Sequence, residues 1–378
     1  MSSTDFIPVN DVKVSRLEIQ YAMKALKSSF ISGTFGDFIP EFESKFAEYC
    51  GAKYGVATTS GTTALQLAVR AAGIKAGDEV IVNTFTNIAS LLAIIYNGAK
   101  PVLVDSRKDT WAMDESKVEE RVTSRTKAIM PVHIYGHPVK MDTIMDIAQR
   151  HNLLVIEDAA EAHGAEVNGK RVGAIGHMGC FSFLAGKIVM AGEGGMVVTN
   201  NEAFASKMKS LRGLAFGTGK DRYKHVDLGF NFRMTNLQAA IGVAQMQRVD
   251  ELVEFRRTMA SWYSKGLKRV KGITLPTEQP WAKNVYWVYG ILINDDFGMS
   301  RDEVAEELRK RGIDSRSFFV PMNRQPVLNA SGLFNGESYP VAEYLGEHGL
   351  YLPSGATLKK GQVSRICKEI KELSKLKK

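Results

Sequence analysis

A chain of 378 residues, 44% of them hydrophobic and 24% charged, is globular in composition and long enough for two domains, which excludes a disordered or fibrous protein. Its longest apolar runs, such as IASLLAIIY from Ile88 to Tyr96, fall well short of the ~20 residues a membrane helix requires, and the opening MSSTDFIPVN has neither the basic start nor the apolar core of a secretion signal, so a cytoplasmic protein is expected. The net charge of +8 comes with no zinc-finger spacing or RNP-type motif, which disfavours nucleic acid as a partner and suits an anionic substrate or cofactor.

In chain order, residues 1 to about 50 read as mostly helical, with Leu17, Tyr21, Met23, Ala25 and Leu26 near helical spacing. An SGTFGDF turn follows, then a second helix, PEFESKFAEYC, closed by Gly51. From Lys53 short β-rich runs alternate with helical ones: KYGVATTS with TTALQLAVRAAG, DEVIVNT with NIASLLAIIYNG, KPVLVD, KAIMPVHIYG with MDTIMDIAQRHN, and LLVIEDAA. Nearly continuous apolar strands between amphipathic helices predict an α/β fold, a mixed, mostly parallel sheet covered on both faces. In such sheets ligands bind beyond the carboxyl ends of the strands. In the helix after Ser60, Leu65, Ala68, Val69 and Ala72 share one face and Gly73 sits where a C-terminal cap belongs.

A strand-like run ending at Leu184 and the strand GMVVTN flank Lys187. A loop of about twenty residues then runs from Gly213 to Arg233, long enough to be functional. Thr235 caps what reads as one long helix to Tyr263. A boundary near residue 250 gives a large domain, 1–250, and a smaller α+β domain, 251–378, on which residues 1–25 are able to pack. The smaller domain contains the strand-like VYWVYGILI and SRSFFVP, a helix opened by the Ser300–Glu303 capping box, and a last helix carrying Val363, Ile366, Ile370 and Leu373. The basic KEIKELSKLKK alternates with glutamates there as a solvated face does. Cys50, Cys180 and Cys367 are odd in number and widely spaced, so they read as reduced core thiols.

Four features fall at predicted strand ends. Lys187 follows an aromatic run, where desolvation would lower the pKa of its amine and leave it nucleophilic toward a carbonyl. Ser60-Gly61-Thr62-Thr63 is a strand-to-helix turn whose free N–H groups suit a phosphate. Glu157-Asp158 closes a buried strand. Ser182 precedes Lys187, and Asn231 to Asn236 open the long helix. Each alone also describes an exposed lysine or an ordinary helix cap. Together they supply what pyridoxal phosphate needs: a phosphate anchor, an anion for the pyridinium and an amine for the aldehyde. The seven histidines, His163 among them, show no ligand-like pairing, so no metal is expected.

The segments GTTAL, GDEVIV, KAIMPVHIYGHP, LLVIEDAAEAHGA, GHMGCFSFLAGK, GEGGMVVTN and LGFNFRMTNLQAAIGVAQ resemble, in order, the DegT/DnrJ/EryC1/StrS family of pyridoxal-phosphate sugar aminotransferases. The resemblance is nearest to the perosamine-forming members, which aminate C4 of a GDP-linked 4-keto-6-deoxymannose with L-glutamate as donor, for cell-surface polysaccharides such as O-antigen. It implies a fold type I, aspartate aminotransferase-like architecture and a homodimer with shared active sites. UDP- or dTDP-linked ketosugars, or a non-catalytic protein of the same fold, are the alternatives. By the same resemblance Lys187 forms the Schiff base, Asp158 pairs with the pyridinium nitrogen and Glu161, where relatives carry glutamine, faces the ring hydroxyl. Backbone N–H groups of Thr62 and Thr63 with the Ser182 hydroxyl hold the phosphate, joined by Asn236 of a second subunit. Asn87 takes the place of an aromatic that stacks on the ring, and Gly186 that of an asparagine. Phe85, His163, Arg233, Arg316 and Asn323 are the expected substrate contacts, with Ser317, Val320 and Asn323 departing from the perosamine pattern.

Overall fold

The computed structural model describes residues 6–376. Its principal sheet is built from β1 (Tyr54–Thr58), β2 (Glu79–Asn83), β3 (Lys100–Val104), β4 (Thr126–Met130), β5 (Leu154–Asp158), β6 (Met178–Ser182) and β7 (Gly195–Thr199). In space the order is β1-β7-β6-β5-β4-β2-β3, and only β7 runs against the others. The mixed, mostly parallel sheet is thus as expected. Strands β2, β6 and β7 are buried at every residue because helices cover both faces.

The covering helices are α1 (Arg16–Ser28), α2 (Phe38–Cys50), α3 (Gly61–Ala71), α4 (Ile88–Ile95), α5 (Met141–Arg150), α6 (Glu202–Leu211) and α7 (Asn236–Met246). Each lays an apolar face on the sheet or on a neighbour; Phe42 and Phe46 of α2 pack edge-on against Phe181 and Phe183 at the end of β6. The expected single helix from residue 235 to 263 is two. α7 ends at Met246 and α8 (Val249–Leu267) starts after Arg248, which leaves helical geometry at φ −127° and ψ 11°. There its guanidinium closes on Glu251 and faces the buried Glu18 of α1, an ion pair a straight helix would carry away.

A second core lies around an antiparallel sheet of β8 (Ile273–Thr274), β9 (Tyr289–Ile293), β10 (Arg316–Ser317) and β11 (Gly349–Leu352), ordered β8-β9-β11-β10. Helix α8 changes core along its length: Val249 and Val253 belong to the first, Met259, Tyr263 and Leu267 to the second. Ile7 joins the second core as well, bridged to Ile313. Two predicted strands prove shorter than expected. Only residues 289–293 of VYWVYGILI are strand, because Tyr286 adopts a left-handed φ of 46° and the Val285 N–H donates to the Gly136 carbonyl. In SRSFFVP only Arg316–Ser317 is strand; Phe319 N–H then donates to the Tyr135 hydroxyl and Met322 N–H to the Thr84 carbonyl. Both segments leave the small sheet to meet the large one.

Glu157, one of the two carboxylates read at the end of β5, is structural. It is fully buried and accepts N–H bonds from Gly173, Ile175 and Gly176 and one from His133 Nε2. Glu157→Ala strands those buried donors, so we expect a loss of roughly 3–5 kcal/mol of stability, read as a lower denaturant midpoint; an unchanged midpoint would contradict the role.

Candidate active site

A cavity of about 340 Å³ opens where the carboxyl ends of β1, β2, β5 and β6 converge. Lys187 sits in the turn after β6, held by its own N–H to the Leu184 carbonyl and by Ala191 N–H to the Phe183 carbonyl. Its side chain is 9% exposed, and Nζ lies 3.6 Å from Glu161 Oε1. On the other side Nζ stands 3.5 Å from the ring centroid of Trp287, whose Nε1 donates to the Gly186 carbonyl at 2.8 Å. Burial pushes the Lys187 amine below its ordinary pKa, opposed by the carboxylates of Glu161 and Asp158. Lowering the pKa of a primary amine raises the fraction able to attack a carbonyl.

Asp158 ends β5 with its carboxyl buried, Oδ2 accepting from Ser90 Oγ at 2.7 Å and Oδ1 from Ala160 N–H at 3.2 Å. Burial raises its pKa, countered first by Ser90, then by Ala160 and Lys187. A carboxylate so placed gains from a cation delivered into the cavity. Glu161 Oε2 accepts the Tyr135 N–H at 2.8 Å, a contact made possible by the left-handed φ of 53° at Tyr135. Burial raises the Glu161 pKa too, and Lys187 is the main opposing charge.

At the opposite wall, Ser60 caps α3: its hydroxyl accepts the Thr63 N–H and its carbonyl the Ala64 N–H. That leaves the N–H groups of Gly61 and Thr62, both lining the cavity, as the free end of the helix. Ser182 completes this wall, so close that a Cβ on Gly61 would come within 2.7 Å of the Ser182 Cβ. The N–H groups left free toward the cavity are thus those of Gly61 and Thr62, while the Thr63 N–H is taken by the Ser60 hydroxyl.

The structure brings Thr62, Asn87, Asp158, Glu161, Ser182 and Lys187 to one cavity. Asn87 lines it while its side chain caps α4 through the Ala89 N–H. Six further expected contacts do not line it. His163 is completely buried against Phe46, Phe181 and Phe183, and its pKa is lowered to about 3 by that burial, so it is a core residue and not a substrate contact. Phe85 is equally buried, packed on Tyr135, Phe318 and Phe319. Asn236 accepts the Phe38 N–H at Oδ1 and donates from Nδ2 to the Phe30 carbonyl, which fixes the 30–38 loop of its own subunit. Asn323 Nδ2 donates to Glu343 and to the Glu337 carbonyl, and Arg316 is exposed on β10. Arg233 is half-buried beside Gly33. Sequence reasoning missed Trp287, Phe319 and Ser90. The first two sit within runs that read as plain strand, and Ser90 is one turn into a helix, where nothing local marks it. Among the described residues no cluster of His, Cys, Asp and Glu could hold a metal.

A buried amine, a buried carboxylate along the same wall and a helix N-terminus with a hydroxyl across from them fit pyridoxal phosphate, whose aldehyde, ring nitrogen and phosphate need those three groups. Fold and site together define a pyridoxal-phosphate-dependent aminotransferase. The chain belongs to the DegT/DnrJ/EryC1/StrS aminotransferase family, whose profile matches residues 13–371. It is 43% identical to a GDP-perosamine synthase of Caulobacter vibrioides over 97% of this chain and 98% of the relative. It is 36% identical to the dTDP-3-amino-3,4,6-trideoxy-alpha-D-glucose transaminase of Streptomyces venezuelae over 98% and 97% of the two chains. Among solved structures, S. venezuelae DesV in complex with a ketimine intermediate superposes with a TM-score of 0.90 at 35% identity, covering 98% of each chain.

The Glu161 carboxylate favours the ammonium form of Lys187, so replacing it by a neutral amide should depress the lysine further. In the cofactor-free Glu161→Gln protein we expect the pH midpoint for amine-selective modification of Lys187, followed by mass spectrometry, to move down. A midpoint that stays or rises would refute the coupling.

Proposed function

We propose that the protein moves an amino group from L-glutamate to the keto carbon of a nucleotide-linked 4-keto-6-deoxyhexose, GDP-linked in the first instance, in the cytoplasm and as a homodimer. The observation that carries the reading is Lys187 Nζ, buried against Glu161 in the same cavity as Asp158 and the capped end of α3. The nucleotide follows the stronger similarity, 43% to a GDP-perosamine synthase against 36% to a dTDP-sugar transaminase.

When bound, pyridoxal phosphate supplies the carbonyl and the electron-accepting ring that carry an amino group from donor to acceptor. Gly61 and Thr62 N–H groups and the Ser182 hydroxyl would bind its phosphate, with the dipole of α3 behind them. Asp158, its two oxygens fixed by Ser90 and Ala160, would hold the proton on the ring nitrogen. Lys187 would take and return a proton at Nζ, aided by the burial that lowers its pKa. Trp287, Phe319 and Leu184 give the mouth an apolar rim that excludes water and suits the deoxygenated edge of a sugar.

Support for the dimer comes from an unburied stripe. Ile19, Met23, Leu26 and Phe30 recur at helical spacing along α1 and beyond its end, each about half exposed, and Ile31 and Phe35 continue it. Tyr223, Val226 and Leu228 stand out of the 213–233 loop in the same way. This loop and the one that Asn236 fixes are then candidates to reach a second copy's cavity.

Incubating the enzyme with L-glutamate and a panel of GDP-, UDP- and dTDP-linked ketosugars should give a glutamate-dependent amine by mass with the GDP-linked 4-keto-6-deoxyhexose, and none with Lys187→Ala. Turnover confined to a UDP- or dTDP-sugar would replace the nucleotide, and turnover by Lys187→Ala would sink the mechanism. The double substitution of Met23 and Leu26 by glutamate should turn a sedimenting dimer into a monomer; a wild-type monomer would refute shared sites.

A further inference from the structure

Lys187 cannot stay attached to the cofactor throughout a transamination. While the amino group is carried, the lysine is a free amine and must sit somewhere in the cavity without blocking the incoming ketosugar. In the structure the Lys187 amine has two defined neighbours. Nζ stands 3.5 Å above the Trp287 indole and 3.6 Å from Glu161 Oε1. The same indole grips the lysine's backbone, because Trp287 Nε1 donates to the carbonyl of Gly186, the residue just before it. Trp287 arrives from the segment before β9, whose left-handed Tyr286 turns the chain out of the small sheet and toward this lysine.

We propose that Trp287 is a positioning residue whose indole face, with Glu161, forms the seat of the released Lys187 amine, and that this seat sets the balance between the aldehyde and amine forms of the cofactor. The inference rests on the pyridoxal-phosphate chemistry assigned above, but not on the identity of donor or sugar. Attachment converts the Lys187 amine and the cofactor aldehyde into a C=N link with loss of one water, so the seat is vacated. With the amine form of the cofactor bound, no such link forms and Lys187 keeps its seat. A favourable seat therefore opposes attachment of the aldehyde and leaves binding of the amine form untouched. A cation over a partly desolvated indole is the right size of effect to matter.

The test titrates cofactor-free protein with pyridoxal phosphate and, separately, with pyridoxamine phosphate, and takes the ratio of the two dissociation constants. Any contact of Trp287 with the cofactor common to both forms cancels in that ratio. In Trp287→Leu the ratio should move toward pyridoxal phosphate by roughly three- to tenfold, the range expected for a cation–π contact. Trp287→Phe, which keeps a ring face but removes the N–H, should move it less. A ratio unchanged in Trp287→Leu, or shifted toward pyridoxamine phosphate, overturns the proposal even if activity falls. Failure of wild type to form any adduct with pyridoxal phosphate would instead overturn the assignment of Lys187 itself.

Discussion

Everything in the site follows from placing one amine where water cannot reach it. Lys187 is 9% exposed, and the charges that keep it from being an isolated buried cation are Glu161 and Asp158, themselves nearly buried. Two carboxylates and one ammonium leave the cavity with an excess negative charge, and burial raises the pKa of both acids while lowering that of the lysine. None of the three groups is fully satisfied by the others. A ligand that brought a ring cation to Asp158 and an anion to the open end of α3 would offset the imbalance.

The fold exists to hold that arrangement from two sides. The strand ends of the large sheet deliver Asp158, Ser182 and the Ser60 turn. The closing wall comes from the second core instead. Trp287 and Phe319 lie on segments that leave their sheet after one turn or two residues, drawn by the Gly136 carbonyl and the Tyr135 hydroxyl. Tyr135 is the joint between the two halves: its N–H fixes Glu161, its hydroxyl fixes Phe319, and its left-handed backbone is the strain that lets one residue do both.

This division explains what was legible in the sequence. The sheet, its order of alternating elements and the residues at its carboxyl ends were readable, because apolar strands and capped helices are local patterns. Lys187, Asp158 and Ser182 belong to that class. Residues whose role depends on contacts far along the chain were not. Trp287 and Phe319 read as strand because their side chains fit the alternation, and only the tertiary contacts of Val285 and Phe319 break it. His163 and Asn236 show the opposite case: both are polar residues beside the site in sequence, and within the chain the fold packs one in an aromatic core and bonds the other to the 30–38 loop.

The same reasoning locates specificity. The inner wall of the cavity comes from the large sheet, whose geometry leaves little freedom: a Cβ on Gly61 meets Ser182, and one on Gly195 falls 2.1 Å from the Ser60 carbonyl oxygen. Residues at the mouth are freer. Leu184 and Asn87 are exposed at the rim, and Asn87 bonds only the start of its own helix. Side chains here can change without disturbing the Lys187 turn or the helix cap. A single scaffold can therefore keep the amine transfer fixed while its rim is altered to fit one nucleotide-linked sugar or another.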